Sequence, residues 1–208
     1  MINTILSLIV SFTLFESDDD AISLLKHLEK KYDSVKDATV SFTQHVQFGV
    51  TKAEQKFSGT IVIKKGNKYR LELEDQTIVT DGKSLWSYSK STQQVFIDTY
   101  KENPHNLSPD KIFVNVPEKY TATFINKENL QGKEASILKL IPRDRKMNIQ
   151  WMKVWVNTDE ELMRRIQVLD ISDNLTTYDV EEVKFNIGVK DSQFQFEAPH
   201  GVEVIDLR

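Results

Sequence analysis

The chain contains no cysteine, and this absence excludes several kinds of chemistry. Disulfides, zinc sites with cysteine ligands, thiol catalysis and a lipid anchor on cysteine all require a thiol. Glycine and proline are also sparse, at seven and five residues, and they are scattered through the 208 residues. Because no linker rich in serine, glycine or proline divides the chain, we expect one domain with a substantial core.

A large excess of charge of either sign is lacking too. The 27 lysines and arginines face 31 aspartates and glutamates, which gives a formal net charge of −4. This balance argues against a nucleic-acid partner and against a strongly basic membrane-docking surface. The chain also has no Gly-x-Ser-x-Gly motif, no P-loop and no glycine-rich dinucleotide turn.

The four histidines do not share the spacing of a metal site. His27, His45, His105 and His200 lie far apart in the sequence, and each is expected to be exposed or hydrogen-bonded. No nucleophile stands beside a base. We therefore predict a protein that is not an enzyme and has no catalytic residue, no metal and no cofactor.

Residues 1–17 differ from the rest of the chain. Ile5–Phe15 is an apolar run without charge, of the length of a signal-peptide core and shorter than the ~20 residues that span a bilayer as a helix. No lysine or arginine precedes the run, and no Ala-x-Ala motif follows it. We expect residues 1–17 to be a cleaved signal peptide and 18–208 a single domain; the alternative is a buried N-terminal helix or strand.

An amphipathic helix is predicted from Asp18 to Val35. Its apolar residues recur at helical spacing, namely at Ile22, Leu25, Leu28, Tyr32 and Val35. The acidic run Asp18–Asp20 would lie at the helix N-terminus, where the helix dipole favours anions.

Most of the remaining chain alternates apolar and polar residues as β-strands do. We predict strands at 38–48, 55–65, 67–74, 76–81, 84–89, 93–99, 119–126, 135–142, 150–157, 164–171, 176–187 and 193–197. A short helical insert is predicted within 105–117, where Pro109 can stand in a first helical turn. The pattern predicts an α+β fold that is mainly β, with a curled antiparallel sheet forming an incomplete barrel, closed by the N-terminal helix and the helical insert.

Along the predicted strands between residues 55 and 74, one set of alternate residues is apolar and should face the core. These residues are Phe57, Ile61, Ile63, Tyr69, Leu71 and Leu73. Lys65 has the same parity. A cation that faces an apolar layer costs free energy unless it has a partner or water. The alternative is that Lys65 reaches water at the rim of the sheet.

The order of motifs resembles the LolA-type family of periplasmic outer-membrane lipoprotein carriers. The resemblance rests on Lys65, Tyr69–Arg70, the run from Asp81-Gly82-Lys83 to Tyr88, and the C-terminal segment from Thr176 to Val202. It covers roughly residues 36 to 206. The sequence departs from the family pattern at Gly66, where the family usually has proline.

The resemblance implies a monomeric carrier that holds the acyl chains of lipoproteins in an apolar cavity and shuttles them across the periplasm. An inner-membrane ATP-driven release complex would load it, and an outer-membrane acceptor would unload it. The implied cavity includes the six apolar residues above together with Ile112 and Phe113 of the insert. Lys65 stands where an arginine of the family helps to hold a helical lid closed. Two alternatives of the same fold are an envelope-stress sensor and a protein that binds free lipid or glycolipid.

Export is the first testable expectation. Protein recovered from its native host should begin near Asp18, because Ile5–Phe15 has the length of a signal-peptide core. N-terminal sequencing measures this directly. Intact Met1 on protein from the cytoplasm would contradict it.

Overall fold

The computed structural model describes residues 18–102, 111 and 120–208. The elements in this part of the chain are one α-helix, a short 3₁₀-helix (Asp191–Phe194) and twelve strands: α1 (Asp18–Asp33), β1 (Asp37–Gln47), β2 (Glu54–Lys64), β3 (Lys68–Leu73), β4 (Gln76–Asp81), β5 (Ser84–Ser89), β6 (Gln94–Thr99), β7 (Tyr120–Leu130), β8 (Lys133–Pro142), β9 (Ile149–Asn157), β10 (Leu162–Asp170), β11 (Leu175–Phe185) and β12 (Glu203–Asp206). The predicted signal peptide and the predicted helical insert at 105–117 lie outside the described residues, with the exception of Lys111.

All twelve strands form one curled open sheet. Their order is β12-β6-β5-β4-β3-β2-β1-β11-β10-β9-β8-β7. Neighbouring strands are antiparallel except β12, which runs parallel to β6. The mainly-β fold with a curled sheet and an N-terminal helix is therefore confirmed, and so are the strands predicted between residues 38 and 187, with β4 and β5 at the predicted bounds.

Helix α1 packs against one face of the sheet, here called the inner face; the opposite face is called the outer face. Ala21, Leu25, Leu28 and Tyr32 are buried against it. These positions follow the i, i+4, i+7, i+11 spacing of a single helical stripe. The prediction that Ile22 belongs to this stripe is wrong: its side chain is 41% exposed, because it lies about 100° around the helix from Ala21.

The C-terminal segment does not form the predicted strand at 193–197. Asp191–Phe194 is a 3₁₀-helix on the outer face, and Phe194 is fully buried there. The Phe196 ring lies 5.7 Å from the ring of Tyr88 on β5. The alternating phenylalanines thus fill the outer face of the β3–β5 region, and the true last strand is Glu203–Asp206.

No helix within the described residues has both the length and the apolar character needed to cross a bilayer.

The helix packing predicts a contrast between two neighbouring apolar positions. Leu28→Ala should lower the free energy of unfolding by about 2–5 kcal/mol, because it opens a cavity at a fully buried position. Ile22→Ala should change it by less than about 1 kcal/mol, since Ile22 is partly in water. Urea unfolding of both variants checks this, and equal losses would refute the assignment of the buried stripe.

Candidate functional site

Four of the predicted cavity residues lie together on the inner face beneath α1. Ile61 and Ile63 on β2 face Leu71 and Tyr69 on β3 as direct cross-strand partners. Each of the four is no more than 8% exposed. They share one apolar cluster with Leu28 and the rest of the helix stripe. With α1 in place, these side chains are core residues as well as candidate lining.

The other two predicted residues on these strands lie farther along the same face. Leu73 is half-buried opposite Gly59, and Phe57 is half-buried opposite Gln44. Gly59 is required by close packing: a Cβ there would lie 2.6 Å from Leu73 Cδ2 and 2.9 Å from Phe42 Cζ. Leu73 therefore packs against the buried cluster, and Phe57 adds a further apolar side chain to the same face.

Sequence reasoning missed the continuation of this apolar face onto β4, β5 and β6. Ile78 faces Leu71 across the β3–β4 ladder, and both Ile78 and Leu85 are half-buried against the same cluster. Phe96 on β6 is 41% exposed. Ile78 and Val79 are consecutive apolar residues, so alternation alone could not decide which one faces inward; the register with Leu71 decides it.

Ile112 and Phe113, which the resemblance placed in the site, lie outside the described residues. Their contribution stays a prediction.

A cleft of about 170 Å³ opens where α1 ends. Its apolar lining includes Tyr32, Val35, Ala38 and Ile63, and Lys65 lies at its edge. Sites that enclose drug-sized ligands measure ~300–1,000 Å³. This cleft alone is therefore too small to enclose a long apolar ligand.

Lys65 holds the C-terminal end of α1. Its ammonium donates a 2.6 Å hydrogen bond to the backbone carbonyl of Asp33, the last residue of the helix. The side chain is exposed at the rim of the sheet, on the face that carries Ile61 and Ile63. A cation at a helix C-terminus is favourable because the last carbonyls carry partial negative charge. Whether Lys65 gates a lid stays a prediction.

A second set of contacts holds the middle of α1 to the β9–β10 turn. His27 Nε2 lies 2.7 Å from Glu161 Oε1, and Lys31 donates to the Glu160 carbonyl at 2.8 Å. The hydrogen bond from His27, together with that from Lys31, lowers the pKa of Glu161. These groups are exposed or half-buried, so the helix is tied to the sheet at its margin by polar contacts that water can replace.

Two tyrosine hydroxyls lie deeper in the site. The Tyr32 hydroxyl accepts the backbone N–H of Met163 at 3.2 Å, and burial raises the pKa of Tyr32 to about 12. Burial also raises the pKa of Tyr120 to about 12. Within the described part of the chain, the Tyr120 hydroxyl is buried without a hydrogen-bond partner. Such an orphaned group is costly unless another molecule supplies the partner.

A curled sheet with an apolar inner face under a tethered helix defines a binding protein, and comparison with known proteins specifies the family. The model of the outer membrane lipoprotein carrier protein LolA family matches residues 33–197. This match covers well over half of the 208 residues, and the chain belongs to this family.

Individual relatives agree with the family assignment. The chain is 25% identical over 211 residues to an outer-membrane lipoprotein carrier protein of Pasteurella multocida, covering 100% of this chain and 99% of that protein. It is 28% identical over 191 residues to a protein of Methanocaldococcus jannaschii, covering 89% of this chain but 54% of that one. The chain thus spans about half the length of this second relative.

Among solved structures, a conserved protein of Thermus thermophilus has a TM-score of 0.58. The likeness covers 89% of this chain and 98% of that one at 12% sequence identity. At this identity the likeness shows the fold alone.

Lys64, the last residue of β2, and Lys65, which follows it, provide a matched test of the contact between Lys65 and the end of α1. Lys65→Met should speed hydrogen exchange at the end of α1 and in the turn that follows it, residues 31–35, by roughly fivefold, because a hydrogen bond worth about 1 kcal/mol is lost. The melting temperature should stay close to that of the wild type, since the side chain is exposed.

The control is Lys64→Met. Lys64 points to the outer face, where it donates to the Val189 carbonyl at 2.7 Å and to Asp191 at 2.6 Å. Its loss should leave the exchange of residues 31–35 unchanged. Identical exchange in the two variants would show that Lys65 does not tether the helix.

Proposed function

We propose that this protein is a periplasmic carrier that binds the acyl chains of lipoproteins between α1 and the inner face and shuttles them from the inner to the outer membrane. The observation that supports the proposal most is the largely apolar inner face, which extends from β2 to β5 beneath a helix tethered by polar contacts at its margin. Membership of the lipoprotein carrier family supports the same conclusion.

Acyl chains match this face energetically. Each methylene buried from water contributes ~0.8 kcal/mol, without any need for directional contacts. The acyl chain of the cargo would replace the contacts that Leu25, Leu28 and Tyr32 make when α1 is packed on the sheet. Helix α1 would therefore act as a lid that is displaced when cargo binds. Phe57, Leu73 and the half-buried Ile78 would extend the lining beyond the helix.

The orphaned Tyr120 hydroxyl gives the site one polar anchor. A buried O–H donor suits a carbonyl oxygen, and an ester or amide carbonyl stands at the head of every protein-bound acyl chain. This pairing would remove the cost of the unsatisfied hydroxyl when cargo is bound.

The remaining assignments complete the proposal. Residues 1–17 would direct export and be removed, and Ile112 and Phe113 would cover the cargo from the insert. Lys65 would stabilise the closed lid through Asp33. The carrier would act as a monomer, loaded by an inner-membrane ATP-driven release complex and unloaded by an outer-membrane acceptor. This is a binding function and includes no catalytic step.

The cargo itself is the decisive measurement. Protein purified from the periplasm should carry lipid-modified peptides, identified by mass spectrometry after organic extraction and proteolysis. Free phospholipid or glycolipid in their place would favour the lipid-binding alternative. A stoichiometric protein partner without lipid would favour the envelope-stress sensor.

The face assignment predicts opposite outcomes for adjacent residues on β3. Leu73→Glu should weaken binding of a fluorescent C16 acyl probe by at least tenfold, because an unpaired carboxylate would be placed against the cargo. Glu72→Gln should leave binding within about twofold, since Glu72 is exposed on the outer face beside Arg70, at 2.7 Å. Thermal melts confirm that both variants fold, and equal probe affinities would refute the proposed lining.

A further inference from the structure

Two parallel rows of side chains cross the outer face of β8–β11. The first row is polar and, in ladder order, consists of Lys139, Lys153, Gln167 and Thr177. The second row lies two residues along each strand, is apolar and consists of Ile141, Trp151, Leu169 and Leu175. Except for Ile141, which is 46% exposed, these side chains are half-buried. We call Lys139, Lys153 and the apolar row the Trp151 patch.

The two lysines of the patch lie beside the same aromatic ring. Lys139 and Lys153 are direct partners in the β8–β9 ladder, and their ammonium groups lie 5.9 Å and 5.3 Å from the centroid of the same Trp151 ring. Among the described residues, neither ammonium lies within ion-pair distance of a carboxylate. Like charges that face each other across a ladder are destabilising, so this arrangement favours an anionic partner.

The neighbouring tryptophan shows how the same face neutralises such groups elsewhere. Trp155 donates its indole N–H to Glu128 at 2.6 Å. Arg165, which lies 5.8 Å from the Trp155 ring, is bonded to Asp179 at 2.6 Å. The cation beside Trp155 is therefore paired with a carboxylate, whereas Lys139 and Lys153 beside Trp151 have no such partner among the described residues.

We propose that the Trp151 patch docks this protein onto an anionic lipid bilayer. A tryptophan ring prefers the boundary between headgroups and acyl chains, and Ile141, Leu169 and Leu175 extend the apolar strip beside it. Lys139 and Lys153 would meet the anionic headgroups. The net charge of −4 is a property of the whole chain and does not reveal this local pair of cations. The proposal concerns the outer face and does not depend on what the inner face carries.

A bilayer fits the patch better than an acidic protein does. The patch presents two positive charges beside an apolar strip. This matches an anionic bilayer, in which negatively charged headgroups lie over the hydrocarbon core. A protein interface generally pairs both signs and carries about one hydrogen bond per 100–200 Å². The two lysines and the apolar row offer few groups for such a pattern.

Vesicle co-sedimentation of the full chain tests the docking. Wild-type protein should bind vesicles of phosphatidylcholine with 30% phosphatidylglycerol at 0.1 M salt, and much less at 0.5 M salt or on pure phosphatidylcholine. The double variant Lys139→Gln with Lys153→Gln should lose about fivefold in partition coefficient per lysine. The matched control, Lys26→Gln with Lys30→Gln on exposed positions of α1, removes the same charge and should bind like the wild type.

Fluorescence locates the contact independently. Brominated lipid should quench the tryptophan emission of bound wild-type protein and of Trp86→Phe, whereas Trp151→Phe should lose most of the quenching. Three results would each overturn the proposal: no binding to anionic vesicles, equal binding by the two double-lysine variants, or unchanged quenching in Trp151→Phe.

Discussion

The packing of α1 on the inner face is the contact on which the rest of the structure depends. The helix stripe centred on Leu28 shares one apolar cluster with residues from strands in both halves of the sheet, including Ile61 and Ile166, and both of these are fully buried. Loss of the helix would remove its buried side chains from this cluster and leave the apolar face of the sheet less well covered. A molecule that binds beneath the helix must therefore compensate for the contacts it displaces. Its affinity is a difference between two similar packing energies, which suits a carrier that has to release its cargo.

Because side chains alternate along a strand, the neighbouring Lys64 and Lys65 point to opposite faces of the sheet. On the outer face, Lys64 donates hydrogen bonds to Val189 and Asp191, which lie at the start of the 3₁₀-helix. On the inner side, Lys65 donates a hydrogen bond to Asp33 at the end of α1. The hydrogen bonds of Lys64 to Asp191, with help from Lys68, lower the pKa of that carboxyl group. The helix on the inner face and the 3₁₀-helix on the outer face are thus both hydrogen-bonded to the sheet next to the β2–β3 hairpin.

The strands and the inward parity of β2 and β3 could be predicted because alternation is a local property of the sequence. Ile61, Ile63, Tyr69 and Leu71 needed no knowledge of their neighbours. Ile78 and the Trp151 patch could not be found in this way, because both depend on the cross-strand register, which the sequence does not state. The alternation of Phe194 and Phe196 is typical of a strand, yet this segment is not one, because the two rings pack on the sheet from outside it. Ile22 was misplaced because a helical stripe shifted by one residue still has nearly the same spacing.

The strand order has a consequence for how the chain reaches this structure. β1 is the first strand of the sequence but lies in the middle of the sheet, between β2 and β11. Strands β1–β6 and β7–β11 are each linked by pairing between sequence neighbours, which forms quickly because the loops to be closed are short. The two meanders join only where β1 meets β11, as at Val40 and Val183, which are more than a hundred residues apart. The β1–β11 ladder and the β6–β12 pair, in which Gln94 lies opposite Glu203, close the longest loops of the sheet, so we expect these two pairings to form late and to limit the rate of folding.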